Sequence, residues 1–409
     1  MSCGAINDNL YRGTLLLAVA ANGTWSGQLG EGGSGWVTAM LYAPFLLLLG
    51  FTGVLADRYP KRQIIVGSRV VELVLAVGVI GAMALQSLPL ACILLVLLAG
   101  QSAFFSPAKY GSVPELVPSR QLSQANGLLS LLTNVSIVAG IGIAGFLLDV
   151  GPRLGMSGLI FVGLVMTVVA TISVVISLFI PRHPPGQPDL PVTLNVFRPY
   201  WKTLRTMAGT DLAAATVAWC LFYSVASMII VIIPSYGELL EISKTKVSLL
   251  MGVTGLGIAV GGVIAGFGSG QRIRAEFVPL GAIGLILSFL SLGLLSLGFT
   301  GVMILLGLTG MFAGIYLIPI LAMLQHLPVP GFRARCVGTA NFLTYVTMTA
   351  SAIFYAVMSR WVGNEPPTWF LISAAMMTII LVWVLILLPR LRNGGRPEAF
   401  ATIEDWKTA

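Results

Sequence analysis

The residues of this chain that could do chemistry are concentrated at its beginning, inside a run that is otherwise apolar. Asn7, Asp8, Asn9 and Arg12 stand within the stretch GAINDNLYRG, residues 4–13, which leads directly into TLLLAVAA. Asp8 and Arg12 are four positions apart, so a helix places them on one face about a turn from each other. A charge at the centre of a bilayer costs about 2.5–3.5 kcal/mol, and it is best tolerated beside an opposite charge or a hydrated cavity. These residues therefore form either an ion pair that orients one helix or part of a polar binding site.

Composition identifies the surroundings of these groups as a membrane. Of the 409 residues, 56% are hydrophobic and 9% are charged, against about 25% charged in an average soluble domain. Apolar stretches of about 20 residues, long enough for a hydrocarbon core of about 30 Å, recur along the whole chain. Helices are the predicted spanning element, because lipid cannot satisfy open backbone groups. We predict twelve spans, at residues 4–22, 35–56, 65–87, 89–106, 125–149, 155–180, 211–234, 246–268, 277–297, 300–325, 339–362 and 368–388.

The spans divide six and six around a polar segment at residues 181–210. Phe197, Trp201 and Leu204 alternate there with basic residues at helical spacing. A segment of this kind is predicted to lie on the inner membrane surface, with its apolar face toward the lipid and its basic face toward phosphates. The predicted organisation is an N-terminal six-helix bundle at 1–180, a cytoplasmic linker at 181–210, a C-terminal six-helix bundle at 211–388 and a cytoplasmic tail at 389–409.

The distribution of basic residues predicts which side of the membrane each loop occupies. With both termini in the cytoplasm, eighteen of the 23 Lys and Arg residues fall on inside loops, and Arg12 lies in the first span. The four outside are Arg153, Lys244, Lys246 and Arg360. Cytoplasmic loops carry this excess, so both termini are predicted to be cytoplasmic. The net charge of +8 then reports topology and attraction to anionic lipid rather than nucleic-acid binding.

Cysteine and histidine support neither a disulfide framework nor a metal site, and no cofactor is expected. The cysteines occur singly, and the two histidines lie in loops without a ligand partner nearby; these residues are Cys3, Cys92, Cys220, Cys336, His183 and His326. Residues 10–21 have the composition of a signal-peptide core. The acidic, base-free start before them and the eleven spans that follow predict an uncleaved first helix.

A basic turn after the second span carries a recognisable pattern. GVLADRYPKR, at residues 53–62, matches the loop signature of the major facilitator superfamily, G-x-L-a-D-R-x-G-R-K, with Pro60 where the second glycine usually stands. A weaker counterpart, GFGSGQRIRAE, follows the eighth span about 210 residues later. The chain therefore resembles this superfamily, and the resemblance implies alternating access around a midplane site. It also implies that Asp57 accepts hydrogen bonds that hold one state closed, and the alternative is an ordinary basic inside loop.

A second stretch narrows the resemblance. AFFSPAKYGSVPELVPSRQLSQANGLLS, at residues 103–130, is similar to the loop between spans 4 and 5 of the bacterial lysophospholipid transporter family, which also carries G-A-x-N-D-N-L in helix 1. From the residues alone, Ser106 and Pro107 are predicted to end a helix, and the Pro114–Glu115 pair to form a turn. This segment is either a rigid inside loop or a gate in which Lys109 pairs with Glu115 or Asp57, or meets a lipid phosphate.

The resemblance implies a carrier that moves lysophospholipids, such as lysophosphatidylethanolamine, across the bacterial inner membrane for reacylation inside. Such a carrier needs a polar site for the head group and an apolar groove for the acyl chain. In our hypothesis Asp8 takes the ammonium group or a coupling cation, and Arg12 takes the phosphate. Substrate-binding candidates are Asn7, Asp8, Asn9, Arg12, Gln101, Asn126, Asn134 and Asn341, and gating candidates are Gly53, Asp57, Arg58, Lys61, Arg62, Lys109 and Glu115.

Two other functions compete with this interpretation. A proton-coupled drug or metabolite exporter of the same superfamily would use Asp8 or Glu72 as its proton-carrying acid. A membrane scaffold or sensor would need neither the basic turn nor charges inside the membrane. An acyltransferase domain is excluded, because the H-x-x-x-x-D motif of such enzymes is missing. The resemblance leaves room for a separate acyltransferase, membrane lipids and a coupling cation as partners.

Three further expectations concern the packing and the start of the chain. Glu72 should pair with Arg69 in the third span, and the glycines at 252–266 should form a close-packing surface between helices. Helix 1 of the resembled family begins well before its N-D-N residues, whereas six residues precede Asn7 here. Either the natural start lies upstream of Met1, as we expect, or the helix begins inside the bilayer.

Overall fold

The computed structural model describes residues 3–20, 23–116, 122–181, 197–269, 274–328 and 333–392. Throughout these ranges the regular secondary structure is helical. The first helices are α1 (Cys3–Val19), α2 (Gly33–Arg58), α3 (Lys61–Ala84), α4 (Leu88–Leu116), α5 (Leu122–Arg153) and α6 (Gly158–Leu178). The later helices are α7 (Arg198–Met207), α8 (Asp211–Ile232), α9 (Tyr236–Leu239), α10 (Lys244–Ser269), α11 (Phe277–Leu294), α12 (Phe299–His326), α13 (Arg333–Val362) and α14 (Pro366–Arg392), and a single 3-10 turn, Ile233–Ser235, links α8 to α9.

The predicted all-helical membrane fold is confirmed, and each of the twelve predicted spans coincides with one long helix. Among the described residues, ten helices have the length and hydropathy of a membrane crossing. The helix α1 has 17 described residues, or about 26 Å at a rise of 1.5 Å per residue. In α2 the segment Gly33–Leu48 is apolar but shorter than these ten helices. The protein is therefore a multi-pass membrane protein.

The structure corrects one local prediction. The helix α4 does not end at Ser106 and Pro107 but continues to Leu116, so the predicted turn at Pro114 and Glu115 is helical. A proline inside a soluble helix would break it by removing one N–H and crowding the preceding turn. Helices within a membrane tolerate proline, because neighbouring helices and local adjustments satisfy the freed backbone groups. The stretch after the fourth span is therefore a helical extension.

The first of two compact units contains Met1–Val196 together with Glu241–Gly252. The helix α1 lies inside this unit, and Leu10, Tyr11, Leu15 and Leu16 on it are almost fully buried. It packs tightly against α5, since a Cβ at Gly140 would lie 2.6 Å from the carbonyl oxygen of a residue on α1. The polar residues Asn7 and Arg12 on α1 are buried as well.

The same unit includes the beginning of α10. There Asp149 of α5 accepts hydrogen bonds from the backbone N–H of Thr245 at 2.8 Å and from its hydroxyl at 2.6 Å. A carboxylate at this position satisfies an N–H of the first turn, which has no partner within its own helix.

The second unit contains Phe197–Leu240 and Val253–Ala409. Its helices α10 and α12 touch backbone to backbone, since a Cβ at Gly257 or Gly261 would overlap a carbonyl oxygen of α12. The predicted close-packing surface is therefore confirmed at these two glycines. The helices α8 and α13 are joined by hydroxyl groups, as where Ser351 donates to the carbonyl oxygen of Ser224 at 2.7 Å. The predicted domain limits stay predictions, since residues 182–196 lie outside the described part of the chain.

Candidate functional site

Two adjacent residues of α1 bring the polar side chains of the first unit together. The Nδ2 of Asn7 donates to Oε1 of Glu72 on α3 at 2.8 Å and to the carbonyl oxygen of Met166 on α6 at 3.2 Å. The carboxylate of Asp8 accepts a hydrogen bond from the hydroxyl of Ser102 on α4 at 2.5 Å. Successive residues of a helix point about 100° apart, so the two side chains reach different neighbours. The helix α1 is thus tied to three other helices by polar contacts.

An ion pair on α3 forms the second part of the cluster. Arg69 donates through Nη1 to Glu72, as predicted, and both side chains are buried. The guanidinium carbon of Arg69 lies 3.6 Å from the ring centroid of Phe105, which is a cation–π contact. A Cβ at Gly4 would overlap this guanidinium group, so a larger residue at that position of α1 would require Arg69 to move. The sequence predicted the pair but not its contact with Asn7, because spacing along one helix carries no information about a partner on another.

A short chain of hydrogen bonds extends the cluster along α4. The Nε2 of Gln101 donates to the hydroxyl of Ser102 at 3.1 Å, and that hydroxyl in turn donates to Asp8. Gln101 was a predicted binding residue, and Ser102 was not. Serine is common in apolar membrane helices, so its type and spacing gave no signal. Among the described residues, Asp8 therefore has a hydrogen-bond partner on Oδ2 and none on Oδ1.

One turn along α1, Arg12 has its own partner. Its Nη2 donates to the hydroxyl of Tyr42 on α2 at 2.8 Å, and its guanidinium carbon lies 5.1 Å from the centroid of the same ring. Arg12 is 4% exposed. Asp8 and Arg12 were predicted to share one face of the helix, but their contacts are separate. Asp8 contacts α4, and Arg12 contacts α2. Both partners are uncharged hydroxyl groups, so these hydrogen bonds neutralise neither the charge of Asp8 nor that of Arg12.

Lys109 lies on the same helix as Gln101, two turns further along. Its Nζ donates to the hydroxyl of Thr133 on α5 at 2.9 Å and lies 4.8 Å from the centroid of the Tyr110 ring. The side chain is 5% exposed. The predicted alternatives, pairing with Glu115 or Asp57, involve side chains that lie outside the described part of the structure.

Of the remaining binding candidates, Asn9 and Asn341 have described side chains, and neither joins the cluster. Asn9 donates to the carbonyl oxygen of Ala5 at 2.8 Å on its own helix. Asn126 and Asn134 have side chains outside the described part. Asn341 is exposed on α13 and belongs to the second unit. The predicted residues that the structure brings together are therefore Asn7, Asp8 and Gln101, whereas Arg12 contacts Tyr42.

Five gating candidates lie around the two-residue connection between α2 and α3, Tyr59–Pro60, whereas Lys109 and Glu115 lie on α4. Arg62 donates through Nε to the carbonyl oxygen of Ile180 at 2.7 Å and through Nη2 to that of Leu178 at 3.0 Å. It thereby stabilises the C-terminal end of α6, where carbonyl groups have no partner within the helix.

The other members of this group have different surroundings. The side chain of Lys61 is buried, and its Cε would lie 2.9 Å from a Cβ at Gly111. The guanidinium carbon of Arg58 lies 5.8 Å from the Tyr59 ring centroid. A Cβ at Gly53 would meet nothing within 4 Å. The side chain of Asp57 lies outside the described part, so its role in holding one state closed stays a prediction.

The chemistry of the cluster depends on those of its polar atoms that have no hydrogen-bond partner. Nine buried side-chain atoms have no hydrogen-bond partner among the described residues, and five of them belong to α1, α3 and α4; these are Oδ1 of Asn7, Oδ1 of Asp8, Nε of Arg12, Nη2 of Arg69 and Oε1 of Gln101. A buried polar atom without a partner costs about 1–3 kcal/mol. Two of the five are donors on guanidinium groups and three are acceptors. The cluster therefore contains both of the atom types that a ligand with an anionic and a cationic part would require, donors for the anion and acceptors for the cation. Within the described ranges, His, Cys, Asp and Glu form no cluster of three that could hold a metal ion.

The fold and the buried charges are those of a membrane carrier, and comparison with known proteins gives the class. The model of the Major Facilitator Superfamily matches residues 6–352, and the chain belongs to this family. The protein is therefore a secondary membrane transporter and not an enzyme.

Two kinds of relative are similar to this chain at modest identity. The lysophospholipid transporter LplT of Enterobacter sp. (strain 638) is 27% identical over 294 residues, which cover 69% of this chain and 68% of that protein. The macrolide efflux protein A of Streptococcus pyogenes is 23% identical over 350 residues, covering 83% of this chain and 84% of that protein.

Solved structures show the same fold. A bacterial homologue of the human lysosomal transporter Spinster, in an inward-facing and unoccupied conformation, superposes with a TM-score of 0.66 at 14% identity over 94% of each chain. A D-xylose–proton symporter superposes with a TM-score of 0.68 at 12% identity, covering 93% of this chain and 95% of that one.

Proposed function

We propose that this transporter moves lysophospholipids across the bacterial inner membrane and that the buried cluster around Asn7 and Asp8 binds the head group. The similarity to LplT supports the substrate class. The observation that carries the site is the set of five buried polar atoms without a partner, which combines guanidinium donors with carboxylate and amide acceptors. A zwitterionic head group is complementary to this set.

The charges of the cluster match a phosphate with an attached ammonium group. The phosphate oxygens accept hydrogen bonds, and the available donors are Nε of Arg12 and Nη2 of Arg69. The ammonium group donates, and the acceptors are the free oxygens of Asp8, Gln101 and Asn7. Hydrogen bonds between charged groups are about twice as strong as neutral ones. Binding of the head group therefore replaces the cost of the unpartnered atoms by favourable contacts.

Binding at this site also provides a means of coupling. Asp8 and Glu72 belong to bonds that join α1 to α4 and α3. A ligand that competes for these groups weakens contacts between helices, and it stabilises whichever state offers it more contacts. In this proposal Asp57 holds one such state closed, and both termini are cytoplasmic. The imported lipid is reacylated by a separate acyltransferase.

The test compares lipid movement in proteoliposomes containing labelled lysophosphatidylethanolamine. We expect Asp8→Asn to lower the transport rate about ten- to hundredfold, since a hydrogen bond to a charged group contributes about 1.5–3 kcal/mol. The matched control is Glu31→Gln, the same exchange at an exposed residue of the loop between α1 and α2, and it should leave the rate unchanged. Equal rates for both variants would refute the site.

Export of a drug is the second candidate, and the similarity to the macrolide efflux protein A over 83% of this chain favours it. In that case Asp8 binds the cationic amine of the drug. The same proteoliposomes separate the two functions when they are loaded with a macrolide. Movement of the macrolide without movement of lipid would establish efflux and exclude the lipid proposal.

A further inference from the structure

A groove in the second unit lies between the short helix α7 and α13. Its volume is about 220 Å³. It is lined by Phe197, which directly precedes α7, by Tyr200, Trp201 and Leu204 of α7, and by Phe342 and Leu343 of α13. These side chains are aromatic or aliphatic, so the floor of the groove offers its occupant apolar contacts.

Aromatic stacking holds α7 on α13 beneath this groove. The rings of Tyr200 and Phe342 are stacked, with centroids 4.4 Å apart and planes inclined by 4°. The ring of Phe197 lies 5.9 Å from that of Phe342. Burial raises the pKa of the Tyr200 hydroxyl, so this side chain stays neutral and the lining carries no charge at neutral pH. Thr203 and Met207 complete the buried face of α7.

The opposite face of α7 is basic. Lys202 and Arg205 are exposed, and the guanidinium carbon of Arg205 lies 5.4 Å from the ring centroid of Trp201. Trp201 itself is 58% exposed at the edge of the groove. The sequence of α7 contains no acidic residue. Arg335 stands one turn before Thr339, which also lines the groove, and it adds a further cation on α13.

We propose that this groove binds one acyl chain of an anionic diacyl phospholipid of the bilayer, with the lipid phosphate against Lys202 and Arg205. The apolar lining selects hydrocarbon, and the basic rim selects a negatively charged head group. An amphipathic helix with tryptophan at its edge is suited to the interface where both parts of a lipid lie. The bound lipid would link α7 to α13 and to the membrane surface at once.

The size of the groove agrees with this occupant. An engineered apolar cavity of about 150 Å³ accommodates benzene, whereas pockets that enclose a whole drug-sized ligand measure about 300–1,000 Å³. A volume of about 220 Å³ thus fits several methylene groups of a chain that continues into the bilayer. The groove belongs to the second unit and the polar cluster to the first, so this proposal does not depend on which substrate is transported.

The experiment uses Trp201 as a reporter of contact with brominated acyl chains, which quench tryptophan fluorescence. Two vesicle preparations contain the same mixture of phosphatidylglycerol and phosphatidylcholine and differ only in which lipid carries the bromine. The fluorescence signal of Trp201 is obtained by subtracting the fluorescence of the Trp201→Phe variant from that of the unmodified protein. We expect at least about twofold stronger quenching when the bromine is on phosphatidylglycerol, because each basic residue near an anionic lipid strengthens binding about fivefold.

Trp361 provides the matched control. It is 78% exposed at the other end of α13. Its only basic neighbour in that helix turn is Arg360, so its signal, obtained with Trp361→Phe, should distinguish the two preparations clearly less than that of Trp201. Lys202→Gln combined with Arg205→Gln should abolish the preference at Trp201. Raising the salt concentration should reduce the preference without any substitution, since exposed charges are screened. Equal quenching in both preparations would overturn the proposal. No quenching of Trp201 in either would do so too, because it would mean that a segment of protein covers the groove.

Discussion

The two units of this transporter differ in the polar groups that they bury. The first unit buries charged and amide side chains, among them Asn7, Arg12, Arg69, Glu72 and Lys109. In the described part of the second unit, the buried hydrophilic side chains are those of serine and threonine only. Charge inside a membrane protein is costly and marks functional sites. This difference supports our proposal that the first unit recognises the substrate, whereas the second unit is held by close packing.

The two units also differ in whether their polar side chains form hydrogen bonds within one helix or between helices. Hydroxyl groups of the second unit mostly bond to a carbonyl of their own helix, as Thr216 does to Leu212 and Ser288 to Gly284, both at 2.8 Å. Such a group is satisfied before helices associate. In contrast, the described hydrogen bonds of Asn7 and Lys109 in the first unit go to groups on other helices. The first unit thus depends on one arrangement of its helices, and a ligand that offers alternative partners can change it.

The largest effect should come from breaking the buried ion pair. Glu72→Gln leaves the Arg69 charge without its partner, and removal of one member of a buried pair costs about 3–5 kcal/mol. We expect a large fall in the midpoint of thermal unfolding in detergent, together with loss of transport.

A double substitution separates the structural from the functional part of this loss. Arg69→Met with Glu72→Met removes both charges, and apolar replacements of buried ion pairs are often neutral for stability. The double variant should regain most of its thermal stability but not its transport of lysophospholipid. Recovery of both properties would mean that the pair only stabilises the fold, and the contrast between the two units would lose its functional meaning.

The second unit should respond instead to small changes in volume. Gly261→Ala places a methyl group against a backbone carbonyl of α12, and overpacking of this kind costs about 1–3 kcal/mol. The matched control on the same helix is Gly266→Ala, where a Cβ would meet nothing within 4 Å. Thermal unfolding should detect destabilisation for the first variant and a neutral or slightly stabilising effect for the second. If both variants behave alike, backbone contact between α10 and α12 does not hold the unit together.

Much of the fold could be predicted from the sequence, because hydropathy and length decide where a chain crosses a membrane. All twelve spans coincide with helices. The error at Pro107 and Pro114 arose because proline rules come from helices in water, where the freed backbone groups have no neighbouring helix to satisfy them. The helix α7 was anticipated from Phe197, Trp201 and Leu204 at helical spacing.

The candidate site could be predicted only in part, for a physical reason. Asn7, Asp8 and Arg12 stand out because they are polar within an apolar run. The groups that surround them, such as Ser102 and Tyr42, are of types that occur throughout membrane helices. Their role depends on which helices are neighbours, and that information lies in the packing of small residues such as Gly140 rather than in any motif.

The smallest effect is expected from substitution of Arg62. It should show whether this residue acts in the gate or only caps a helix. Arg62 was predicted to belong to the gate, but in the structure it donates to two carbonyl groups at the end of α6. A cation there stabilises a helix by about 0.3–1 kcal/mol, so Arg62→Gln should lower thermal stability slightly. Arg62→Lys keeps the charge and should recover part of that loss. If Arg62 acts only as a cap, both variants should transport lysophospholipid at the unmodified rate once protein amounts are matched. A severalfold fall in rate with unchanged stability would instead place Arg62 in the gate, since it would show that these contacts change during transport.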